Sequence, residues 1–213
     1  MTSPNQRRIT EFLFHPFLRV AGGTALGLGL AIILLTGWIG SWQGLHFDGV
    51  LDVHVAPGSV VPWWIFLAEG VIDWLCLALI LLLVGRFLTR SAFRTIDLIG
   101  TQALARWPML PVSLFCLAPG FHRFSEALVK ALQSMGGDPA KMKLPAAGMD
   151  AVVFALVTLA MMTCTVWMVA LMWRSFSHCC NVRGGKAVAG FVVGLLVAEF
   201  LSKLLIGQLF HLA

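Results

Sequence analysis

Five apolar runs, each long enough to cross a lipid bilayer, constrain this chain more than any other feature. A membrane helix needs about 20 predominantly apolar residues to match a hydrocarbon core about 30 Å thick. Runs of that length cover residues 17–38, 62–84, 96–117, 151–173 and 187–210. Lipid offers the backbone no hydrogen-bond partner, so such runs must be helical. The expected fold is therefore all-α, an integral membrane bundle of five transmembrane helices. Of the 213 residues, 59% are hydrophobic and 12% charged, against about 25% charged in an average soluble domain. The connections leave no room for a second globular unit. One membrane domain over 17–213 is expected, behind a polar to amphipathic segment at 1–16.

Arg7 and Arg8 precede the first run, as in a signal peptide. The run is too long for one and no Ala-x-Ala site follows it, so the first helix is expected to be retained. The net charge is +5 and the isoelectric point near 9.3. No Lys/Arg-rich stretch with interleaved aromatics is present, and nucleic acid is not an expected partner. The lipid bilayer is, together with a protein partner or a second copy of the chain. Basic residues collect instead where cytoplasmic loops should be. With the N-terminus inside, the inner segments hold nine (Arg7, Arg8, Arg19, Arg86, Arg90, Arg94, Arg174, Arg183 and Lys186). The outer side holds four, all in the third loop: Arg123, Lys130, Lys141 and Lys143. That asymmetry favours a cytoplasmic N-terminus and an external C-terminus. Trp38, Trp42, Trp63 and Trp64 cluster where an outer aromatic belt would lie.

Between spans three and four, Phe121, Phe124, Leu128, Leu132 and Met135 recur at spacings of three and four. Arg123, Glu126, Lys130 and Gln133 take the opposite face. This is the pattern of an amphipathic helix lying along the interface, ended by Gly136-Gly137. Small residues mark two candidate packing seams. Gly23 and Gly27 have the spacing that lets membrane helices approach closely, and Gly190, Gly194, Ala198 and Ser202 form a stripe on span five. Pro108 and Pro111 interrupt span three and should bend it.

Ionisable residues inside apolar spans are the first place to seek function, because a charge in lipid is costly. Five qualify: Glu69 and Asp73, Arg106, and Glu199 with Lys203. At about 1.5 Å of rise per residue, Asp73 lies about 16 Å from the outer end of its span. Arg106 and Glu199 lie about 15 and 18 Å from the inner ends of theirs, so all three fall near the midplane. Glu69 and Lys203 fall nearer the outside. Two layers are thus expected, a deep one of Asp73, Arg106 and Glu199 and a shallow one of Glu69 and Lys203. Gln102 and Ser113 share a face with Arg106. Such an intramembrane ionic network serves either as packing glue or as a polar path for protons or a solute.

Other polar motifs carry less. His46, Asp48, Asp52 and His54 of the first loop are donors a cation can use, but scattered loop residues of this kind are usually just solvated. His178-Cys179-Cys180 matches no zinc spacing, and a cytoplasmic loop is expected there. Cys76, Cys116 and Cys164 sit in apolar runs as small hydrophobes, and no disulfide framework is indicated. Arg183-Gly184-Gly185-Lys186 lacks the spacing of a phosphate-binding loop. No hydrolase motif is present. The residues imply no catalytic group, no metal and no cofactor.

The chain resembles the Yip1 domain family, five-span membrane proteins with a cytosolic N-terminus. The resemblance rests on His15-Pro16-Phe17 before span one. It continues through Gly85 to Arg94 and Leu104-Ala105-Arg106-Trp107-Pro108, and ends in Gly185-Lys186-Ala187 opening the helix that carries Glu199. Eukaryotic relatives imply trafficking roles and contact with Rab-type GTPases. The compact form here is similar to the bacterial branch, so Rab binding is not carried over, and a bacterial inner membrane is implied. The expected function is a non-enzymatic membrane-organising or scaffold protein, with a small solute or proton-coupled transporter or channel as the alternative.

Overall fold

The computed structural model describes residues 13–57, 61–89, 92–134, 145–146 and 148–212. Arg7, Arg8, Arg90, Met135, Gly136, Gly137, Lys141 and Lys143, invoked above, lie outside the described residues. After a short 3-10 turn at Pro16–Leu18, seven α-helices are seen among the described residues: α1 (Gly22–Ser41), α2 (Trp63–Leu88), α3 (Thr95–Leu104), α4 (Met109–Phe115), α5 (Pro119–Ser134), α6 (Met149–Cys179) and α7 (Gly185–Leu212). A short antiparallel hairpin pairs β1 (Leu45–His46) with β2 (His54–Val55), setting His46 opposite His54. The protein is an all-α, multi-pass membrane bundle. Four helices, α1, α2, α6 and α7, are each long and apolar enough to span a bilayer.

The crossings number up to five if the bent run of α3 and α4 with α5 counts as one span. Pro108 cannot donate a backbone hydrogen bond, and its ring crowds the turn before it. The chain responds by tightening. Arg106 N–H donates to Ala103 O at 3.2 Å and Trp107 N–H to Leu104 O at 3.1 Å, three residues back rather than four. Together α3 and α4 still traverse the full height of the bundle. Asp97 lies beside Gly22 at the start of α1, while Ser113 O accepts a hydrogen bond from Gln43, just past the end of α1. After Phe115 the chain turns by 83° into α5. An amphipathic helix set nearly across the spans is what an interfacial position demands. α5 is held to the start of α6 by Arg123, whose Nη2 and Nε reach Asp150 at 2.7 and 2.8 Å. Phe154 stacks on Phe121, with ring centroids 5.4 Å apart.

Close packing of α1 uses glycines other than those the small-residue spacing singles out. Gly23 and Gly27 are exposed, with nothing within 4 Å of a Cβ built on either. The packed stripe is Ala25, Gly29, Ile33, Thr36, Gly37 and Gly40. A Cβ on Gly29 would come within 2.5 Å of Ala103, and one on Gly37 within 2.5 Å of Phe66 O. Gly27 and Gly29 lie about 200° apart around the helix, so they cannot share a seam. On α7 the stripe does face inward. Ala198 and Ser202 are fully buried, and Gly190 and Gly194 meet Leu88, Val84 and Leu81 of α2.

α6 runs to Cys179, six residues beyond the expected end of span four at residue 173. His178 and Cys179 are therefore helical, and Cys180 is buried against Gly85 rather than in an open loop. That burial pushes the Cys180 thiol up to about 12, which keeps it protonated and inert. All five cysteines are free.

Gly29→Leu should destabilise the bundle in a detergent thermal-unfolding assay, because the clash is with backbone that cannot swing away. Gly23→Leu in the same assay should leave the melting temperature unchanged. Equal effects would refute this assignment of the seam.

Candidate functional site

All five of the intramembrane ionisable residues face the interior or the mouth of the bundle, but their grouping is not the two layers expected. On α2, Glu69 and Asp73 are separated by one turn and both are fully buried. Asp73 meets Arg106 across the bundle, with Oδ2 3.5 Å from Nη1. Arg106 is only 4% exposed, placed inward by the tightened turn before Pro108. This pair forms the deep level.

Glu199 does not join it. Its Oε1 takes Lys203 Nζ at 3.1 Å, and its Oε2 accepts the backbone N–H of Leu51 at 2.8 Å. Glu69 does not pair with Lys203 either. Its Oε1 lies 2.8 Å from His46 Nδ1, and its Oε2 accepts the N–H of Phe47 at 3.0 Å. Lys203 also donates to Asp52 at 2.8 Å. The physical reason for the regrouping is the first loop. It folds down into the mouth of the bundle, burying Leu45, His46, Phe47 and Val50. Two of its backbone amides then satisfy carboxylates on α2 and α7. Gly49 lies so close to Glu199 that a Cβ there would sit 2.6 Å from Oε1.

The expectation that the first loop is simply solvated is thus overturned for His46, which is 3% exposed. A signal for this was present. Leu45, Phe47, Val53 and Val55 alternate with His46, Asp48, Asp52 and His54, a period-two pattern that a free loop has no need of. The amide donors of Phe47 and Leu51 leave no such trace, since every residue but proline carries one.

A second polar group lies deeper, towards the other end of the bundle. Gln102 Nε2 donates to Met172 O at 3.0 Å and to Ser175 Oγ at 3.0 Å, and Thr101 Oγ1 lies 2.7 Å from Ser175 Oγ. These neutral bonds tie α3 to α6. Beside Arg106 there is a void of about 10 Å³, lined by Thr36, Gly37, Phe47, Phe66 and Gly70 among others. That is room for about one water. Arg106 Nε and Nη2 and Thr36 Oγ1 have no protein partner.

At the mouth, the Lys203 ammonium that hydrogen-bonds Asp52 holds its carboxyl below the ordinary carboxylate value, and His54 adds to this. Comparison with family models, with curated proteins and with solved structures gave no match.

Arg106→Ala should lower unfolding free energy by about 3–5 kcal/mol, because it strands Asp73 as a buried charge. The double variant Asp73→Asn with Arg106→Gln should recover most of that loss. A denaturation series in detergent decides, and a double variant as unstable as Arg106→Ala would refute the pairing. The Asp52 carboxyl has a lowered folded value, so its contribution is present above the ordinary carboxylate value and lost as pH falls through the folded one. Asp52→Asn should therefore give a slightly lower melting temperature at pH 7 and a flatter pH profile below about pH 4.

Proposed function

We propose that the protein is a non-enzymatic, Yip1-like membrane protein that organises or scaffolds the bilayer and carries no solute across it. The observation behind this reading is the closed core. The charged groups at the midplane are paired to each other, and the void beside them is about 10 Å³. A path for a solute needs a continuous polar cavity, and one water's worth of space is not one. A packed ionic pair of this kind holds helices in register.

The outer surface supports a role in the membrane plane. α6 packs along one side only, leaving Val152, Leu156, Leu159, Met162 and Val166 exposed. α1 leaves Gly23 and Gly27 open to a close neighbour. Lipid or a protein partner, including a second copy, fits both faces.

The placement we propose is a bacterial inner membrane, with the N-terminus in the cytoplasm and the C-terminus outside. The end of the bundle near the N-terminus carries Arg174 and Arg183, which with His15, His178, Trp173 and Ser177 line a cleft of about 220 Å³. A donor-rich basic cleft suits the anionic cytoplasmic leaflet. The described cations of the third loop do not compete with it. Arg123 is paired with Asp150 and Lys130 with Glu126, so their charge is locally cancelled.

Reconstituted into liposomes carrying a pH-sensitive dye, the protein should give no proton or potassium flux above protein-free vesicles. Cross-linking in native membranes should trap it with a neighbour. Flux through the unmodified protein that Arg106→Gln abolishes would overturn the scaffold reading in favour of transport.

A further inference from the structure

We propose that His46, Asp48 and Glu69 form a binding site for a divalent transition-metal ion of the zinc class at the mouth of the bundle. One donor atom from each residue lies within 4.8 Å of the other two. Around one zinc ion with bonds of about 2.0–2.2 Å, ligand atoms stand roughly 3–4 Å apart. A small closure of side chains on an otherwise assembled set completes the site.

A second observation points to a ligand independently of the spacing. The Asp48 side chain is 33% exposed, but its Oδ1 atom is shielded from solvent and has no hydrogen-bond partner. An enclosed carboxylate oxygen without a donor is costly. Its sister oxygen, Oδ2, is 3.5 Å from His54 Nε2.

Charge balance leads to the same place. Asp48, Asp52, Glu69 and Glu199 all face the mouth. Lys203 is held by Asp52 and Glu199, at 2.8 and 3.1 Å. Arg106 is held by Asp73 one turn below Glu69. Among the described residues, the ion-pair partners of Glu69 and Asp48 are the imidazoles of His46 and His54, not a lysine or an arginine. A divalent ion supplies what is missing. One or two imidazole nitrogens with carboxylate oxygens and no thiolate suit zinc, manganese or ferrous iron over softer metals.

The surroundings fit an ion that enters from outside. A cleft of about 270 Å³, lined by Asp48, Asp52, Lys203, Ile206, Gly207 and Phe210, borders the set at Asp48. The Phe47 N–H holds Glu69 from behind, as an outer hydrogen bond orients a metal-bound carboxylate. The bound ion would clamp the β1–β2 hairpin to α2. The competing explanation is that His46 and Glu69, 2.8 Å apart, simply hydrogen-bond and need nothing else.

The two explanations separate on Asp48, which takes no part in that hydrogen bond. The full chain, prepared without a polyhistidine tag and stripped with a chelator, is titrated with zinc chloride by calorimetry in detergent. Saturable binding near one ion per chain is expected, together with a higher melting temperature. Asp48→Asn and His46→Gln should each weaken binding by more than about tenfold, since loss of even an outer partner does as much. Both variants should keep a cooperative melt, and His178→Gln at the far end of the bundle should bind as the unmodified protein does. No saturable binding, or binding that Asp48→Asn leaves unchanged, would overturn the site. Either result leaves the flux measurement, and so the scaffold reading, untouched.

Discussion

An ionised carboxylate inside a bilayer has to be met by donors, and for Glu69 and Glu199 the first loop supplies them. Glu69 takes His46 and the Phe47 amide, and Glu199 takes the Leu51 amide beside Lys203. Water is scarce at that depth, so an unmet carboxylate there would be expensive. The hairpin is therefore part of the bundle's interior. Its turn brings Gly49 against Glu199, where a side chain would collide with the carboxylate. Remove the loop's contacts and two acids on two helices lose partners together. That coupling makes the loop, α2 and α7 one unit.

Beneath that plug the helices hold together by close backbone approach and a few polar ties. Lipid tails solvate leucine as well as a protein core does, so burial alone supplies little drive for association. Gly29 against Ala103 and Gly37 against Phe66 bring α1 onto α3 and α2. Asp73 with Arg106, and Gln102 with Met172 and Ser175, fix which faces meet. α6 and α7 touch each other little and flank the core separately. The arrangement places its polar groups in the middle and leaves long apolar faces outward, as a membrane-embedded bundle needs.

Much of the candidate site was legible before any coordinates. A charge among apolar residues stands out because lipid punishes it, and Glu69, Asp73, Arg106, Glu199 and Lys203 were found that way. Depth alone, however, put Glu199 with Arg106 and Glu69 with Lys203. Depth along a helix says nothing about what enters from a loop. His46 was visible as a residue and as one member of an alternating pattern, yet its burial depended on a chain reversal that periodicity does not encode. Small-residue spacing at Gly23 and Gly27 marks where backbones can approach and not which side of the helix has a neighbour within this chain.

The sequence by itself determined that this chain lives in a membrane, crosses it as helices, and turns one amphipathic segment along its surface. Those properties follow from local composition and period, which lipid and water read directly. Only the tertiary structure decided which acid meets which donor, that the first loop plugs the bundle, and that His46, Asp48 and Glu69 stand together. Those outcomes join residues more than 20 positions apart, such as His46 and Glu69, or nearly 150 apart, such as Leu51 and Glu199. They depend on how the helices turn about their axes once packed, a choice made by close contact and not by any one segment.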